Sequence, residues 1–128
     1  MRILLDTHVL LWWLEDSARL SETARSTVAD TATQLFWSAA SSWELAIKVG
    51  LGRIRLVTPL RKLLPAALLE QSIDFLAVEQ SHALQVAELP HHHRDPFDRM
   101  LVAQCRVERL RLLSADEQIR RYDVDVVW

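Results

Sequence analysis

Four acidic residues, Asp6, Glu44, Asp98 and Asp116, are spread along the chain at positions that a folded α/β protein could bring to one point. Asp6 directly follows the apolar run Ile3-Leu4-Leu5, and Asp116 follows Leu112-Leu113-Ser114-Ala115. Glu44 and Asp98 fall near the beginnings of stretches with helical composition. Carboxylates gathered this way repel one another and raise each other's pKa unless a cation neutralises them. An all-oxygen ligand set selects Mg²⁺ or Mn²⁺ rather than zinc. Such an ion can polarise a phosphodiester, lower the pKa of a bound water and orient in-line attack.

Each acid also has a purely structural reading. Asp6 precedes a helical stretch and can act as its N-cap, and Asp116 stands in the same relation to Glu117-Gln118-Ile119-Arg120. Ser41-Ser42-Trp43-Glu44 has capping-box spacing, so Glu44 can reach back to a helix start. Asp98 falls in the first turn of a helix, where negative charge complements the macrodipole. In Asp95-Pro96-Phe97-Asp98, Pro96 suits the first helical position, which puts Asp95 at the N-cap. The conjunction favours a site over four separate caps, because all four acids fall at strand ends or helix beginnings, which an α/β fold brings to one edge.

The elements that must position these residues are legible in outline. Short apolar stretches predict strands at Arg2 to Leu5, Gln34 to Ser38, Asp74 to Val78 and Leu112 to Ser114, with a fifth at Val124 to Val127. Helices are expected over His8 to Leu14, Ser21 to Asp30, Ala40 to Val49, Pro59 to Gln71, Ser81 to Glu88 and Pro96 to Leu110. Gly50 and Gly52 are expected to end the third helix, and Pro65 to kink the fourth. Alternation of strands and helices implies an α/β fold with a central parallel sheet of four to five short strands flanked by helices. The expectation is one domain over residues 1–128, since no segment reads as a linker, repeat or low-complexity tract.

Composition excludes several classes. With half its residues hydrophobic the chain can bury a core. A net charge of −2 argues against a simple nucleic-acid-binding module, which should carry a basic excess. Basic groups do cluster locally, at Arg53, Arg55, Arg61 and Lys62 and again at Arg106, Arg109 and Arg111, where solvated helix faces and phosphate contacts are equally good explanations. The single cysteine, Cys105, reads as a buried small hydrophobe. The apolar run Val9 to Leu14 is too short for a signal h-region or a membrane span, so no membrane association and a cytoplasmic setting are expected.

The acidic segments resemble a known family. Leu4-Leu5-Asp6-Thr7-His8-Val9-Leu10-Leu11-Trp12 resembles the opening motif of PIN-domain proteins, especially the VapC-type toxins. Ser38 to Lys48 around Glu44, Asp95 to Gln104 around Asp98, and Leu113-Ser114-Ala115-Asp116 resemble the second, third and fourth motifs, in order and over residues 3 to 127. The resemblance implies a PIN fold that cleaves RNA with Mg²⁺ or Mn²⁺. It implies metal-binding roles for Asp6, Glu44, Asp98 and Asp116 and an orienting hydrogen bond from Ser114. It further implies the toxin of a bacterial toxin–antitoxin pair, a small VapB-type antitoxin as partner, and a homodimer.

His91-His92-His93 invites a zinc reading, but adjacent side chains point apart and no second His/Cys cluster completes a site; a loop near the acids is the better expectation. His8 and His82 read as local structural residues. Of the tryptophans, Trp37 and Trp43 are expected in the core, with Trp12 or Trp13 protruding. Two rivals remain. Asp6 after a first strand also resembles the haloacid-dehalogenase-like phosphatases, but His8 stands where that family has a second aspartate, and no convincing late lysine is present. A non-catalytic partner-binding protein is the other, and it would leave the four acids without a purpose.

Overall fold

Ile3, Leu4 and Leu5 are all completely buried, and three consecutive buried residues on a strand require cover on both faces of the sheet. The computed structural model, which describes residues 1–128, supplies that cover. Five strands, β1 (Arg2–Leu5), β2 (Gln34–Ser38), β3 (Ile73–Leu76), β4 (Arg111–Leu113) and β5 (Val126–Val127), form one sheet in the order β3-β2-β1-β4-β5. Every pairing is parallel, with Ile3 opposite Leu35 on one side and Arg111 on the other. The connections carry helices α1 (Thr7–Leu14), α2 (Glu22–Ala29), α3 (Ala39–Gly50), α4 (Leu60–Glu70), α5 (Gln80–Val86) and α6 (Pro96–Glu108).

Alternation along the strands divides the interior into two cores. Ile3, Leu5, Leu35, Trp37 and Leu113 face one core, completed by Val9 and Leu10 of α1, Ala24 and Val28 of α2, Leu45 of α3 and Leu68 of α4. Leu4 and Leu112 face the other, where Leu101, Val102, Ala103 and Cys105 of α6 meet Ile119 and Tyr122. Each fully buried leucine contributes about 1.5–3 kcal/mol relative to exposure, so these central strands anchor everything at their ends. Strand order reverses between β1 and β4, and the crevice outside the carboxyl ends of such a pair is where α/β sheets bind ligands. Asp6 is the first residue past β1, and its N–H donates to Leu113 O at 3.0 Å, locking the two strand ends together.

The parallel α/β architecture agrees with the sequence, and several details correct it. Trp43 is 65% exposed rather than part of the core. Successive helical residues differ by about 100°, and the inner stripe of α3 is Ala40, Ser41, Glu44 and Leu45, which turns position 43 outward. Trp43 rests edge-on against Phe97 instead, with ring centroids 5.2 Å apart. The capping box is not formed: Ser38 is the N-cap of α3 and accepts from Ala40 N–H at 3.0 Å, so the helix begins before Ser41. Gly50 lies within α3, and Gly52, at φ +73°, takes the left-handed turn that follows. Helix α4 runs through Pro65 without a break, β3 begins at Ile73, and Asp116 leads only to a 3₁₀ turn at Ile119–Arg121. Helix α5 begins at Gln80 and ends at Val86. No helix is long and apolar enough to cross a membrane.

Candidate active site

The cleft at the carboxyl edge of the sheet is lined by Asp6, Glu44, Asp95, Asp98 and Asp116, together with His8, Trp12, Arg19 and Lys48. Asp6, Glu44, Asp98 and Asp116 reach it from different parts of the chain, and Asp95 and Asp98 share the start of α6. Asp6 caps α1: one oxygen accepts from Thr7 N–H at 2.6 Å, and the other accepts from Ser114 Oγ at 2.7 Å. Ser114 in turn accepts from Asp116 N–H at 3.1 Å, so one hydroxyl ties the ends of β1 and β4 to both aspartates. Asp116 Oδ1 accepts from Gln118 N–H at 2.9 Å, a short turn that holds the carboxylate over the crevice. The capping reading of Asp6 therefore holds, while Asp116 closes a turn rather than capping a helix, and in each the local hydrogen bond fixes where the carboxylate stands in the cluster.

Glu44 comes from the inner stripe of α3, where burying a carboxylate carries a large desolvation cost unless it is paired. Lys48, one turn later, donates to its Oε2 at 3.0 Å. The other oxygen, Oε1, is buried and has no hydrogen-bond partner. Asp98 is delivered by α6, whose start is set by Asp95: its Oδ1 accepts from both Phe97 N–H (2.8 Å) and Asp98 N–H (3.1 Å), with Pro96 in the first turn. Burial, then the charges of Asp6, Asp95, Glu44 and Asp116, push the Asp98 carboxyl up to about 8. Burial also raises Asp6, against the opposing effect of the Ser114 bond.

One contributor was not foreseen in its role. His93 reaches into the cluster, with Nε2 2.7 Å from Asp116 Oδ2 and 3.1 Å from Asp98 Oδ2. His93, Asp98 and Asp116 are close enough to share a cation. The neighbouring histidines diverge: His92 packs edge-on against Tyr122, and His91 is exposed. Arg99, nearly buried on α6, braces the loop that carries them, donating to Pro90 O at 2.8 Å, Val86 O at 3.2 Å and Tyr122 Oη at 3.1 Å. The sequence signal was a histidine two residues before a helix cap, which places it beside the cap only once the loop's path is known. Lys48 was legible as the fourth residue after Glu44 on one helix, the spacing of a side-chain pair.

Similarity to known proteins agrees with this fold. The family model described as PIN domain matches residues 3–125. The chain is 31% identical over 121 residues to Ribonuclease VapC22 of Mycobacterium tuberculosis, covering 94% of this chain and 91% of that protein. Its fold is similar to a chain of VapBC2 from Rickettsia felis, solved bound to a promoter DNA fragment, with a TM-score of 0.73, 11% identity, and coverage of 98% and 97% of the two chains. It is also similar to a chain of FitAcB from Neisseria gonorrhoeae, with a TM-score of 0.62, 22% identity, and coverage of 97% and 95%. A parallel five-stranded sheet and a match over nearly the whole sequence have one reading: this chain belongs to the PIN-domain family and is homologous to the VapC-type toxins.

Proposed function

We propose that this chain is a metal-dependent endoribonuclease and the toxin of a toxin–antitoxin pair, with residues 1–128 acting as one nuclease domain in the cytoplasm. The observation that carries the reading is the convergence of four carboxylates from four elements, among which Glu44 Oε1 is buried without a partner. A hard divalent cation fits that donor set, supplying the missing partner and offsetting the burial and crowded negative charge that together push Asp98 up to about 8. Asp6, Glu44, Asp98 and Asp116 are the residues that would hold Mg²⁺ or Mn²⁺. When bound, such an ion would lower the pKa of a water and stabilise charge on the phosphodiester.

The protein's own part is orientation. Ser114 holds Asp6, Lys48 holds Glu44, and Asp95 sets the start of the helix that presents Asp98. Phosphate would meet Arg19 and Lys48 on the rim, with Arg53 beyond them in an adjoining groove that shares His8, Trp12, Arg19 and Lys48. Cations on a wall of an otherwise acidic cleft suit an anionic strand lying across the carboxylates. The relative named Ribonuclease VapC22 and the fold shared with VapBC2 support RNA as substrate and a small VapB-type antitoxin as partner. A homodimer is part of the same reading.

Purified protein should cut RNA only with added Mg²⁺ or Mn²⁺, lose activity in EDTA, and leave 5′-phosphate and 3′-hydroxyl ends. Full activity in excess chelator, or 2′,3′-cyclic phosphate ends, would overturn the mechanism. The antitoxin assignment is checked separately, by co-purification with the protein encoded beside it and relief of growth arrest. Failure there removes the toxin role and leaves the nuclease.

A further inference from the structure

Distance alone would make His93 a third ligand beside Asp98 and Asp116, but its ring nitrogens have their hydrogen-bond roles already assigned. Nδ1 accepts from the backbone N–H of Asp95 at 3.1 Å, so it carries no proton. A neutral imidazole with an accepting Nδ1 has its proton on Nε2, and a protonated nitrogen has no lone pair for a metal. Nε2–H is aimed at Asp116 Oδ2, 2.7 Å away, with Asp98 Oδ2 beside it at 3.1 Å. Turning the ring over would set carbons against Asp95 N–H and Asp116 Oδ2, and the loop that carries the ring is anchored. His93 N–H donates to Tyr122 Oη at 2.9 Å, Arg99 donates to the same oxygen, and Arg99 also holds the carbonyl of Pro90.

We propose that His93 is a positioning residue, which donates its Nε2–H to Asp116 and sets the spacing of Asp116 and Asp98 without coordinating the cation. The carboxylates are then the ligands and the imidazole stands behind them, reversing the common arrangement in which a carboxylate orients a ligating histidine. Asp116 is left with both oxygens engaged, by Gln118 N–H and by His93. Glu44 Oε1 has no partner, and Asp98 Oδ2 lies 3.1 Å from His93 Nε2, whose proton points at Asp116. The inference also ranks the ligands: Glu44 and Asp98 have the freest oxygens, whereas Asp6 and Asp116 each have both oxygens engaged.

This inference rests on the metal-dependent reading above, and the test separates the two. Mn²⁺ is titrated into the whole protein without RNA, with affinity read by calorimetry and the ligand atoms by pulsed electron paramagnetic resonance. Wild-type protein should bind Mn²⁺ with no hyperfine coupling to a coordinated ring nitrogen. His93→Gln, whose amide nitrogen can donate from about the same place, should stay close to wild type. His93→Ala should weaken binding roughly 10–100-fold, as loss of a partner behind a ligand does. A nitrogen coupling that vanishes in His93→Gln would overturn the inference, as would a His93→Gln affinity as poor as that of His93→Ala. Unchanged Mn²⁺ affinity in folded His93→Ala would do the same. If His93→Ala fails to fold, the wild-type spectrum and His93→Gln still decide. Wild-type protein that binds no Mn²⁺ would bring down the metal reading itself.

Discussion

His82 and His93 are wired alike and sit in opposite electrostatic settings. In each, Nδ1 accepts a backbone N–H, from Glu79 at 3.0 Å or from Asp95 at 3.1 Å, and Nε2 faces a carboxylate, Glu108 at 2.8 Å or Asp116 at 2.7 Å. His82 is completely buried and joins α5 to α6 through one carboxylate, with Gln104 alongside donating to Ala77 O and keeping its own Oε1 unpartnered. His93 meets a second carboxylate at 3.1 Å, in a cleft that also holds Asp6 and Glu44. A buried polar network built round a single carboxylate serves the fold. One that collects several like charges needs a ligand to balance them.

The largest effect should come from the unbalanced side. Asp98→Asn should leave the protein folded and reduce cleavage at saturating Mg²⁺ by more than the roughly 10–100-fold expected for residues behind the ligands. Asp95→Asn should keep most of the activity, because asparagine is as good a cap. A dead Asp95→Asn beside an active Asp98→Asn would show that the third ligand is misassigned. His82→Ala breaks the single-carboxylate network instead. It should lower stability by about 1–3 kcal/mol for the stranded Glu79 N–H and Glu108 groups, before the cost of the cavity, while Mn²⁺ affinity in the folded fraction stays unchanged. A His82→Ala protein of normal stability with weakened Mn²⁺ binding would erase the contrast between the two histidines.

A pH series in EDTA sharpens the same comparison. The folded-state pKa of Asp98, about 8, lies far above its ordinary value of 3.8. Its contribution to stability is therefore intact below about pH 4 and is lost as pH rises toward 8, where the folded protein must hold a charge it disfavours. Asp98→Asn should raise Tm by several degrees at pH 8 and leave it unaltered near pH 4. Equal shifts at both pH values would mean that the carboxylate's charge is not the source of the strain. The smallest effect belongs to the cap. Asp95→Ala should cost about 0.5–2 kcal/mol by urea denaturation, and Asp95→Asn almost nothing.

What the sequence determined by itself was whatever depends on near neighbours. Ile3-Leu4-Leu5 implied a strand covered on both sides, Asp95-Pro96 a capped helix start, and the placing of Asp6 and Asp116 after apolar runs put both at the carboxyl edge of a parallel sheet. The recurrence of four acidic motifs in order was likewise visible in one dimension. Tertiary structure decided what depends on facing and path. Hydrophobicity sent Trp43 inward, but the rotation of α3 that carries Glu44 into the cleft turns the neighbouring indole out. Capping-box spacing fitted Ser41 and Glu44, yet Ser38 wins the cap because β2 ends there and the helix begins at once. His93 could be read only as part of a loop near the acids. Its place against Asp116 follows from Arg99 and Tyr122 gripping that loop, contacts that span up to 29 positions in sequence and leave no periodic signature in it. Local geometry is encoded by residues within a turn of one another, whereas the site is closed by side chains that meet only after the sheet and α6 have packed.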